Sequence, residues 1–168
     1  MEHVIHPIPP VYDENSSILI LGSFPSVMSR EGCFFYHHPR NRFWSVLSAV
    51  TGAPLPSTIE EKKQFLLTQH IAVWDVIASC SIHGSSDSSI RDVVPNDLRR
   101  ILSCSPVRRI FCNGKASFLY FRKYQEPLLG RTAVCLPSTS PANAAWSLEQ
   151  LIRAWSVILE KQEADSSL

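Results

Sequence analysis

Ile18-Leu19-Ile20-Leu21-Gly22-Ser23-Phe24-Pro25-Ser26 is the stretch that decides the fold, because an apolar run gives way within it to a polar turn. Four consecutive apolar residues are typical of a strand in a parallel sheet, which is covered on both faces. The same change recurs at Trp74-Asp75, at Asn113-Gly114 and at 137–141, a Pro-Ser-Thr-Ser-Pro turn. Parallel strands end at the same edge of a sheet, so the chain predicts one binding crevice at that edge.

Strand-like and helix-like segments alternate along the chain. The predicted strands cover residues 18–21, 71–73, 107–112 and 132–136. The predicted helices cover residues 42–50, 57–68, 97–102, 114–124 and 143–160. This alternation predicts the α/β class, here a three-layer α/β/α sandwich around a central, mainly parallel four-stranded sheet. The polar stretch 79–89 is predicted to be a long loop.

The length of the chain predicts one domain. Its 168 residues, 45% of them hydrophobic, suffice for one full core and are too few for two. Residues 1–16, which contain three prolines, are predicted to form an extended arm that lies on the domain. Residues 17–160 are predicted to be the domain itself, and residues 161–168 a disordered tail.

The composition argues against several classes of protein. The sequence shows neither a long apolar stretch nor a secretory start, so we expect an intracellular, cytoplasmic protein without a membrane span. Five cysteines without a CxxC pair are typical of reduced structural thiols, and the histidines have no metal-ligand spacing. Neither the GxGxxG nor the P-loop nor the GxSxG motif occurs. We expect a monomer that needs no metal, no cofactor and no obligate protein partner.

Amide, carboxylate and aromatic side chains fall near the predicted crevice. Asn41 and Asn113 supply amides, and Asp75 and Asp87 supply carboxylates. The aromatic candidates are Phe24, Phe34, Phe35, Tyr36, Phe43 and Trp44. Aromatic faces stack on a heterocyclic ring while amides bond its donor and acceptor edge, which is how a flipped-out nucleobase is held. The crevice is therefore predicted to bind a nucleobase.

Five segments carry a family pattern. They are Gly22-Ser23-Phe24-Pro25-Ser26, His38-Pro39-Arg40-Asn41-Arg42-Phe43-Trp44, Trp74-Asp75-Val76, Asn113-Gly114 and Leu136-Pro137-Ser138-Thr139-Ser140-Pro141-Ala142-Asn143. In this order they resemble the uracil-DNA glycosylase superfamily and, within it, the DNA-deoxyinosine (hypoxanthine-DNA) glycosylase family. The resemblance implies a DNA repair enzyme that hydrolyses the N-glycosidic bond of a deaminated base in DNA. Hypoxanthine is the expected base, and uracil is the alternative.

The resemblance also assigns roles to residues of this chain. Asn41 is the expected catalytic residue, holding water or polarising the sugar and base through its amide. The base pocket is expected to contain Gly22, Ser23, Phe24, Phe34, Phe35, Asp75 and Asn113. The expected DNA contacts are Arg40, Arg42, Ser138, Thr139, Ser140 and Asn143. No metal, cofactor or iron–sulfur cluster is implied.

Two positions depart from the better-known members of the superfamily. Phe24 stands where those members carry an Asp or Asn that positions water, and Leu136 stands where uracil enzymes carry a histidine. A phenyl ring cannot activate water. Cleavage of a deoxynucleoside passes through an oxocarbenium-like state, which a site accelerates by stabilising charge and orienting water, so an amide is sufficient.

Each residue also has a structural alternative. Asn41 could cap the helix that begins at Arg42, and both roles could coexist. Asp75 could hold a neighbouring loop instead of acting on the base. Phe43 and Trp44 have core spacing and are better packing than stacking candidates. Asp87 is predicted to be exposed in the polar loop. Two other functions stay open: hydrolysis of free nucleosides or nucleotides, and nucleic-acid binding without catalysis.

Overall fold

The computed structural model describes residues 1–160, so the predicted tail at 161–168 lies outside the described residues. The strands are β1 (Glu2–Ile5), β2 (Ile18–Gly22), β3 (Ile71–Asp75), β4 (Ile77–Ile82), β5 (Arg91–Pro95), β6 (Arg109–Asn113) and β7 (Val134–Leu136). The helices are α1 (Val27–Gly32), α2 (Phe43–Thr51), α3 (Ile59–Thr68), α4 (Arg99–Leu102), α5 (Lys115–Tyr124), α6 (Glu126–Leu129) and α7 (Leu148–Trp155). Two short 3₁₀ turns cover Asp87–Ser89 and Ser156–Leu159.

The central sheet has four parallel strands in the order β3-β2-β6-β7. Leu19, Ile20 and Leu21 of β2 are all fully buried. Successive side chains of a strand point to opposite faces, so burial of all three means that the sheet is covered on both sides. The predicted α/β class and its four-stranded parallel sheet are confirmed.

A second, antiparallel sheet has the order β1-β4-β5. It shows that the prediction of a loop over 79–89 is wrong for its first half, because β4 extends to Ile82. Serines at 79 and 81 lie on the less buried face of β4, whereas Ile77, Cys80 and Ile82 are buried. Serines make the segment look like a loop, yet backbone bonds to strands on both sides stabilise it as a sheet.

The N-terminal segment connects the two sheets. Its first residues form β1, which pairs with β4 along its whole length. His6 N–H continues this pairing by donating to the Ala78 carbonyl at 2.8 Å. Val11 then forms an isolated antiparallel bridge with Val73, at the edge of the central sheet. The segment predicted as an extended arm therefore includes a strand and is bonded to both sheets.

The closing helix is shorter than the predicted span 143–160. It begins after Ser147, whose hydroxyl accepts the Gln150 N–H at 3.1 Å, while Gln150 Oε1 accepts the Ser147 N–H at 2.8 Å. This capping box starts the helix at 148. Asn143 is not available as the first helical residue, because its side-chain amide donates to the Ser138 carbonyl at 2.9 Å and stabilises the preceding turn. Among the described helices, none is long and apolar enough to span a membrane.

Candidate active site

A pocket of about 140 Å³ opens at the carboxyl ends of β2, β3 and β6. Gly22, Asp75 and Asn113, which end these three strands, all line it. The other predicted site residues that line it are Ser23, Phe24, Phe35, Asn41, Ser138, Thr139 and Ser140. The pocket therefore contains residues from all of the predicted strand-end clusters, at the sheet edge where parallel strands place their ligands.

Two donors orient the side chain of Asn41. Phe43 N–H donates to Asn41 Oδ1 at 2.9 Å, and the Thr139 hydroxyl donates to the same oxygen at 2.8 Å. A backbone N–H can only donate, so the amide oxygen must lie on that side. No group within residues 1–160 bonds Asn41 Nδ2, which leaves an N–H₂ donor at the pocket wall. The oxygen thus bonds the first turn of α2 while the nitrogen is available to a ligand.

Thr139 connects Asn41 to Asn113. Asn113 Nδ2 donates to Thr139 Oγ1 at 3.0 Å, and Asn113 Oδ1 accepts the Thr139 N–H at 3.0 Å. The Thr139 hydroxyl, having accepted this bond, donates its own hydrogen to Asn41. Thr139 is fully buried, so the structure gives it an internal role in place of the predicted DNA contact. It orients the two amides of the pocket.

Asp75 is held by a residue of the N-terminal segment. His6 Nε2 lies 2.7 Å from Asp75 Oδ2, and the two side chains are only 4% and 5% exposed. Ile8 N–H donates to His6 Nδ1 at 3.1 Å. A ring nitrogen that accepts a hydrogen bond carries no proton, so His6 donates to Asp75 through Nε2–H. This bond occupies Oδ2 and leaves Oδ1 as the carboxylate oxygen available to the pocket.

Gly22 allows the Asp75 carboxylate to approach the first strand closely. Gly22 and Asp75 are paired in register across β2 and β3. A Cβ atom at Gly22 would overlap Asp75 Oδ1 and would lie 3.2 Å from the Tyr36 hydroxyl. Any larger residue would displace one of these groups, so the glycine is required by the side chains it faces.

Comparisons with known proteins agree with this geometry. The Uracil DNA glycosylase superfamily matches residues 9–159. The chain belongs to the uracil DNA glycosylase superfamily. A Methanosarcina acetivorans protein named hypoxanthine DNA glycosylase is 39% identical over 144 residues, 83% of this chain and 88% of that protein. A Methanosarcina barkeri protein, also named hypoxanthine DNA glycosylase, is 35% identical over 140 residues, 80% of this chain and 85% of that protein.

A solved structure supports the same family. It is an NMR structure from Methanosarcina acetivorans, described as a candidate uracil DNA glycosylase. Its TM-score is 0.74 at 31% identity, and the match covers 94% of this chain and all of the other. The resemblance drawn from the five sequence motifs is confirmed at the level of the superfamily, and the predicted fold agrees with its solved member.

The aromatic residues divide between the glycosylase pocket and the core. Phe24 and Phe35 line the pocket, at 8% and 2% exposure. Phe34 does not line it and stacks on Trp44 instead, with centroids 6.0 Å apart. The structure thus replaces the predicted pocket role of Phe34 with a core role, since neighbouring residues of this loop point in different directions. Phe43 and Trp44 are buried, as expected of packing residues.

Arg42 connects α2 to the final loop of the glycosylase fold. Its backbone N–H donates to the Thr139 carbonyl at 3.0 Å, and its guanidinium donates to the carbonyls of Ser140, Asn143 and Trp146. These bonds occupy a group that was predicted to contact phosphate, so the structure gives Arg42 a structural role. Arg40 is exposed and stays a candidate for that contact. Ser138 Oγ accepts the Ser140 N–H at 3.1 Å, which closes the turn between them.

Asp87 reaches the pocket from the loop between β4 and β5. The residue is exposed on its outer side, but its Oδ1 accepts a hydrogen bond from the Ser23 hydroxyl at 2.8 Å. Burial of the carboxyl group raises the pKa of Asp87, the Ser23 hydroxyl opposes the rise, and the Asp75 carboxylate adds to it. Asp87 is exposed, as expected of the polar loop, and its carboxyl group also reaches the pocket.

Sequence reasoning missed the site roles of His6 and Tyr36. His6 lies in a segment judged only by its prolines, and a lone histidine carries no signal without its partner 69 residues away. Tyr36 was noted among several aromatics, but nothing in the sequence separates it from Phe34 and Phe35. Within residues 1–160, no group of three or more His, Cys, Asp or Glu side chains is placed to hold a metal ion.

Proposed function

We propose that this chain is a DNA repair glycosylase that hydrolyses the N-glycosidic bond of hypoxanthine in DNA. The observation that carries the proposal is one pocket whose wall contains an amide donor, Asn41 Nδ2, a carboxylate acceptor, Asp75 Oδ1, and the aromatic residues Phe24 and Phe35. Two relatives at 39% and 35% identity named hypoxanthine DNA glycosylase support the choice of base.

The carboxylate favours hypoxanthine over adenine. Hypoxanthine has an N1–H donor beside its C6 carbonyl, whereas adenine has an unprotonated N1 beside an amino group. Asp75 Oδ1 can accept the N1–H of hypoxanthine but meets a lone pair on adenine N1. A buried acceptor that is left without a donor costs free energy, so adenine is disfavoured in this pocket. The His6 bond to Oδ2 keeps the other oxygen turned toward the base.

The amide supplies stabilisation of charge. As the glycosidic bond breaks, positive charge develops on the sugar and negative charge on the departing base. Asn41 Nδ2–H is a fixed dipole, oriented in advance by Phe43 and Thr139. A donor that needs no reorganisation stabilises the developing negative charge, or orients the oxygen of the attacking water. The absence of a carboxylate at position 24 is compatible with this chemistry, because a strong base is not required.

The surface around the pocket is proposed to hold the DNA strand. A groove of about 650 Å³ adjoins the pocket and shares Asp87, Ser138 and Ser140 with it. Lys115 is exposed in this groove, and Trp146 is 38% exposed at its wall. Together with the exposed Arg40, these side chains would supply charge for phosphate and one aromatic face for a base. The Ser138–Asn143 turn lies between them and is expected to press on the strand.

Cellular context is part of the proposal. A monomer that acts without an obligate protein partner or cofactor is part of the proposal. The five cysteines are free, as expected in the reducing cytoplasm, where the enzyme would reach chromosomal DNA.

Base release from a defined duplex tests the proposal. The purified protein is incubated with labelled duplexes that contain one deoxyinosine, uracil or xanthine, and alkali then cuts the abasic sites. Strand breaks are expected at deoxyinosine. Asn41→Ala should lower the single-turnover rate about 10²–10³-fold, the usual effect of removing one such donor. Asn41→Asp keeps the oxygen that bonds Phe43 but loses the N–H₂ donor, so it should be equally impaired.

Three outcomes would redirect the proposal. Asn15→Ala, at an exposed position remote from the pocket, is the control and should retain full activity. Faster cutting at uracil than at deoxyinosine would favour uracil, which also has an N–H beside a carbonyl. Tight binding to every lesion without base release would favour a binding module. An active Asn41→Asp variant would show that the oxygen, and not the nitrogen, is the working group.

A further inference from the structure

The hydroxyl group of Tyr36 is buried at the pocket without a partner. Four buried side-chain polar atoms within residues 1–160 have no hydrogen-bond partner, on Arg30, Tyr36, His37 and Trp74. Of these four residues, only Tyr36 lines the pocket. Buried polar groups in folded proteins are almost always bonded, so an unpaired one beside a pocket indicates a group that a ligand completes.

The backbone and ring of Tyr36 are held firmly in this position. Its φ is 51°, in the left-handed region that a bulky residue rarely adopts. The ring stacks on Phe43 with centroids 3.9 Å apart and planes inclined by 19°. Trp44 Nε1–H donates to the Tyr36 carbonyl at 3.2 Å. Backbone strain of this kind persists where the surroundings impose it, and it is concentrated at functional sites.

The surroundings of the phenol keep it protonated. Burial raises the pKa of Tyr36 far above its ordinary value, and the negative charge of Asp75 raises it further. The nearby Asn113 side chain opposes the rise, although it makes no hydrogen bond of good geometry with the hydroxyl. At neutral pH the group is therefore a neutral O–H. A neutral phenol can donate a hydrogen bond to a carbonyl oxygen.

We propose that Tyr36 is a specificity-determining residue, whose O–H donates to the carbonyl oxygen of the flipped-out base beside the N–H that Asp75 accepts. The hydroxyl lies next to Gly22, at the place where Asp75 Oδ1 approaches the same glycine. An acceptor and a donor side by side are complementary to a lactam, the N–H and C=O pair present in hypoxanthine, xanthine and uracil. Adenine and cytosine present the reversed pair, and the amino group of either base would meet the phenol donor.

This inference rests on the proposed function, and Tyr36→Phe tests it. The substitution removes one oxygen and keeps the ring that stacks on Phe43. The single-turnover rate at deoxyinosine should fall about ten- to hundredfold, the effect expected when a hydrogen bond to the reacting group is lost. The melting temperature should stay the same or rise, because the removed hydroxyl has no partner in the folded protein. A hydroxyl with a structural role would instead lower the melting temperature.

Tyr124→Phe is the matched control. Tyr124 lies at the end of α5, does not line the pocket, and stacks on Tyr120. Its variant should release hypoxanthine at the wild-type rate. A Tyr36→Phe variant as active as Tyr124→Phe would overturn the inference, and so would a loss of activity that is accompanied by an equal loss of thermal stability.

Binding of free bases separates this inference from the proposed function. Titration calorimetry with free hypoxanthine and free adenine requires no catalysis. Wild-type protein should prefer hypoxanthine. Tyr36→Phe should bind hypoxanthine about tenfold more weakly but should bind adenine as well as wild type or better. An inactive wild type that still shows this difference would contradict the proposed activity but support the role of Tyr36. Equal binding of hypoxanthine by both proteins would contradict the role of Tyr36, whatever the activity.

Discussion

The two sheets of the molecule contribute to the site in different ways. The parallel sheet places Gly22, Asp75 and Asn113 at the pocket through the ends of its strands. The antiparallel sheet has no strand that ends there. It contributes His6, which immediately follows β1, and Asp87, which lies in the loop between β4 and β5. The first sheet supplies the strand-end groups of the pocket, and the second orients one of those groups and contributes to one wall.

This difference shows that a recognisable fold does not contain the whole site. The strand-end rule locates the pocket without any knowledge of the second sheet. The orientation of Asp75, however, depends on an imidazole from a segment outside the parallel sheet. Substitutions in the two regions should therefore have different signatures, and three of them test the distinction.

The largest effect is expected at the contact between the parallel strands. Gly22→Ala would place a methyl group on Asp75 Oδ1. Because a displacement of about 1 Å at a reacting centre can cost a hundredfold, excision of hypoxanthine should fall by about 10²-fold or more. Stability should fall by about 1–3 kcal/mol from the overpacking. Single-turnover excision and urea unfolding measure the two effects.

Gly52→Ala is the companion variant. Its φ of 73° makes the substitution strained, but its Cβ would have no atom within 4 Å, and Gly52 does not line the pocket. It should lose stability without losing the chemical step. Similar excision rates in the two variants would show that the close approach of Asp75 to Gly22 does not matter for activity.

The second effect concerns the antiparallel sheet. His6→Leu removes the donor to Asp75, and a bond between a buried donor and a charged group is worth about 1.5–3 kcal/mol, so excision should fall about ten- to hundredfold. His6→Gln retains an N–H near the position of Nε2 and should recover part of the rate. Measuring the excision rates of each variant at deoxyinosine and at deoxyadenosine shows whether discrimination between hypoxanthine and adenine falls as well.

His3→Leu is the control for this pair. His3 is exposed and lies on the same strand, β1. Its variant should behave as wild type. If His6→Leu were as active as His3→Leu, or if His6→Gln gave no recovery, the second sheet would have no role beyond covering the core.

The smallest effect is a dependence of stability on pH. The pKa of Asp87 is raised, so the folded protein retains this proton at pH values where the unfolded chain, with the ordinary value of 3.8, has released it. The protonated carboxyl group stabilises the folded protein fully below pH 3.8, and this stabilisation is lost as the pH rises through the pKa of the folded state. Asp87→Asn removes the titration and keeps an oxygen for Ser23. As the pH rises from about 4 to about 7, the melting temperature of this variant should rise by about 1–2 °C relative to that of wild type.

Asp92→Asn is matched to Asp87→Asn. Asp92 lies on β5, just after the loop that contains Asp87, and also accepts a serine hydroxyl, from Ser81 at 3.0 Å, but does not line the pocket. A pH-dependent gain of the same size in both variants would mean that the environment of Asp87 in the pocket wall has no special effect.

The fold was predictable where hydrophobic pattern and topology coincide. The run 18–21 is apolar at every position, as required of a strand covered on both faces, and the runs 71–74 and 110–112 within β3 and β6 follow the same rule. The second sheet was not predictable, because serines occupy the less buried face of β4 and prolines interrupt the segment after β1. Both features are typical of loops, and only pairing with distant strands overrides them.

The sequence predicted which residues line the site but not the hydrogen bonds between them. Asn41, Asp75 and Asn113 were found from motifs that the superfamily shares, and all three line the pocket. The partners of a side chain do not follow from the motif that contains it. Thr139 and Arg42 belong to motifs expected to bind DNA, yet they are engaged with the amides and the carbonyls of the protein itself. Hydrogen bonds across 98 to 104 residues of sequence decide these roles.

The bonds of Arg42 have a mechanical consequence. This one residue follows Asn41 directly and holds the loop at Ser140, Asn143 and Trp146 through its guanidinium. These bonds fix the position of the loop relative to the residue next to the amide donor. In the proposed function the loop contacts the DNA strand and Asn41 contacts the flipped-out nucleotide, so Arg42 would couple the two contacts.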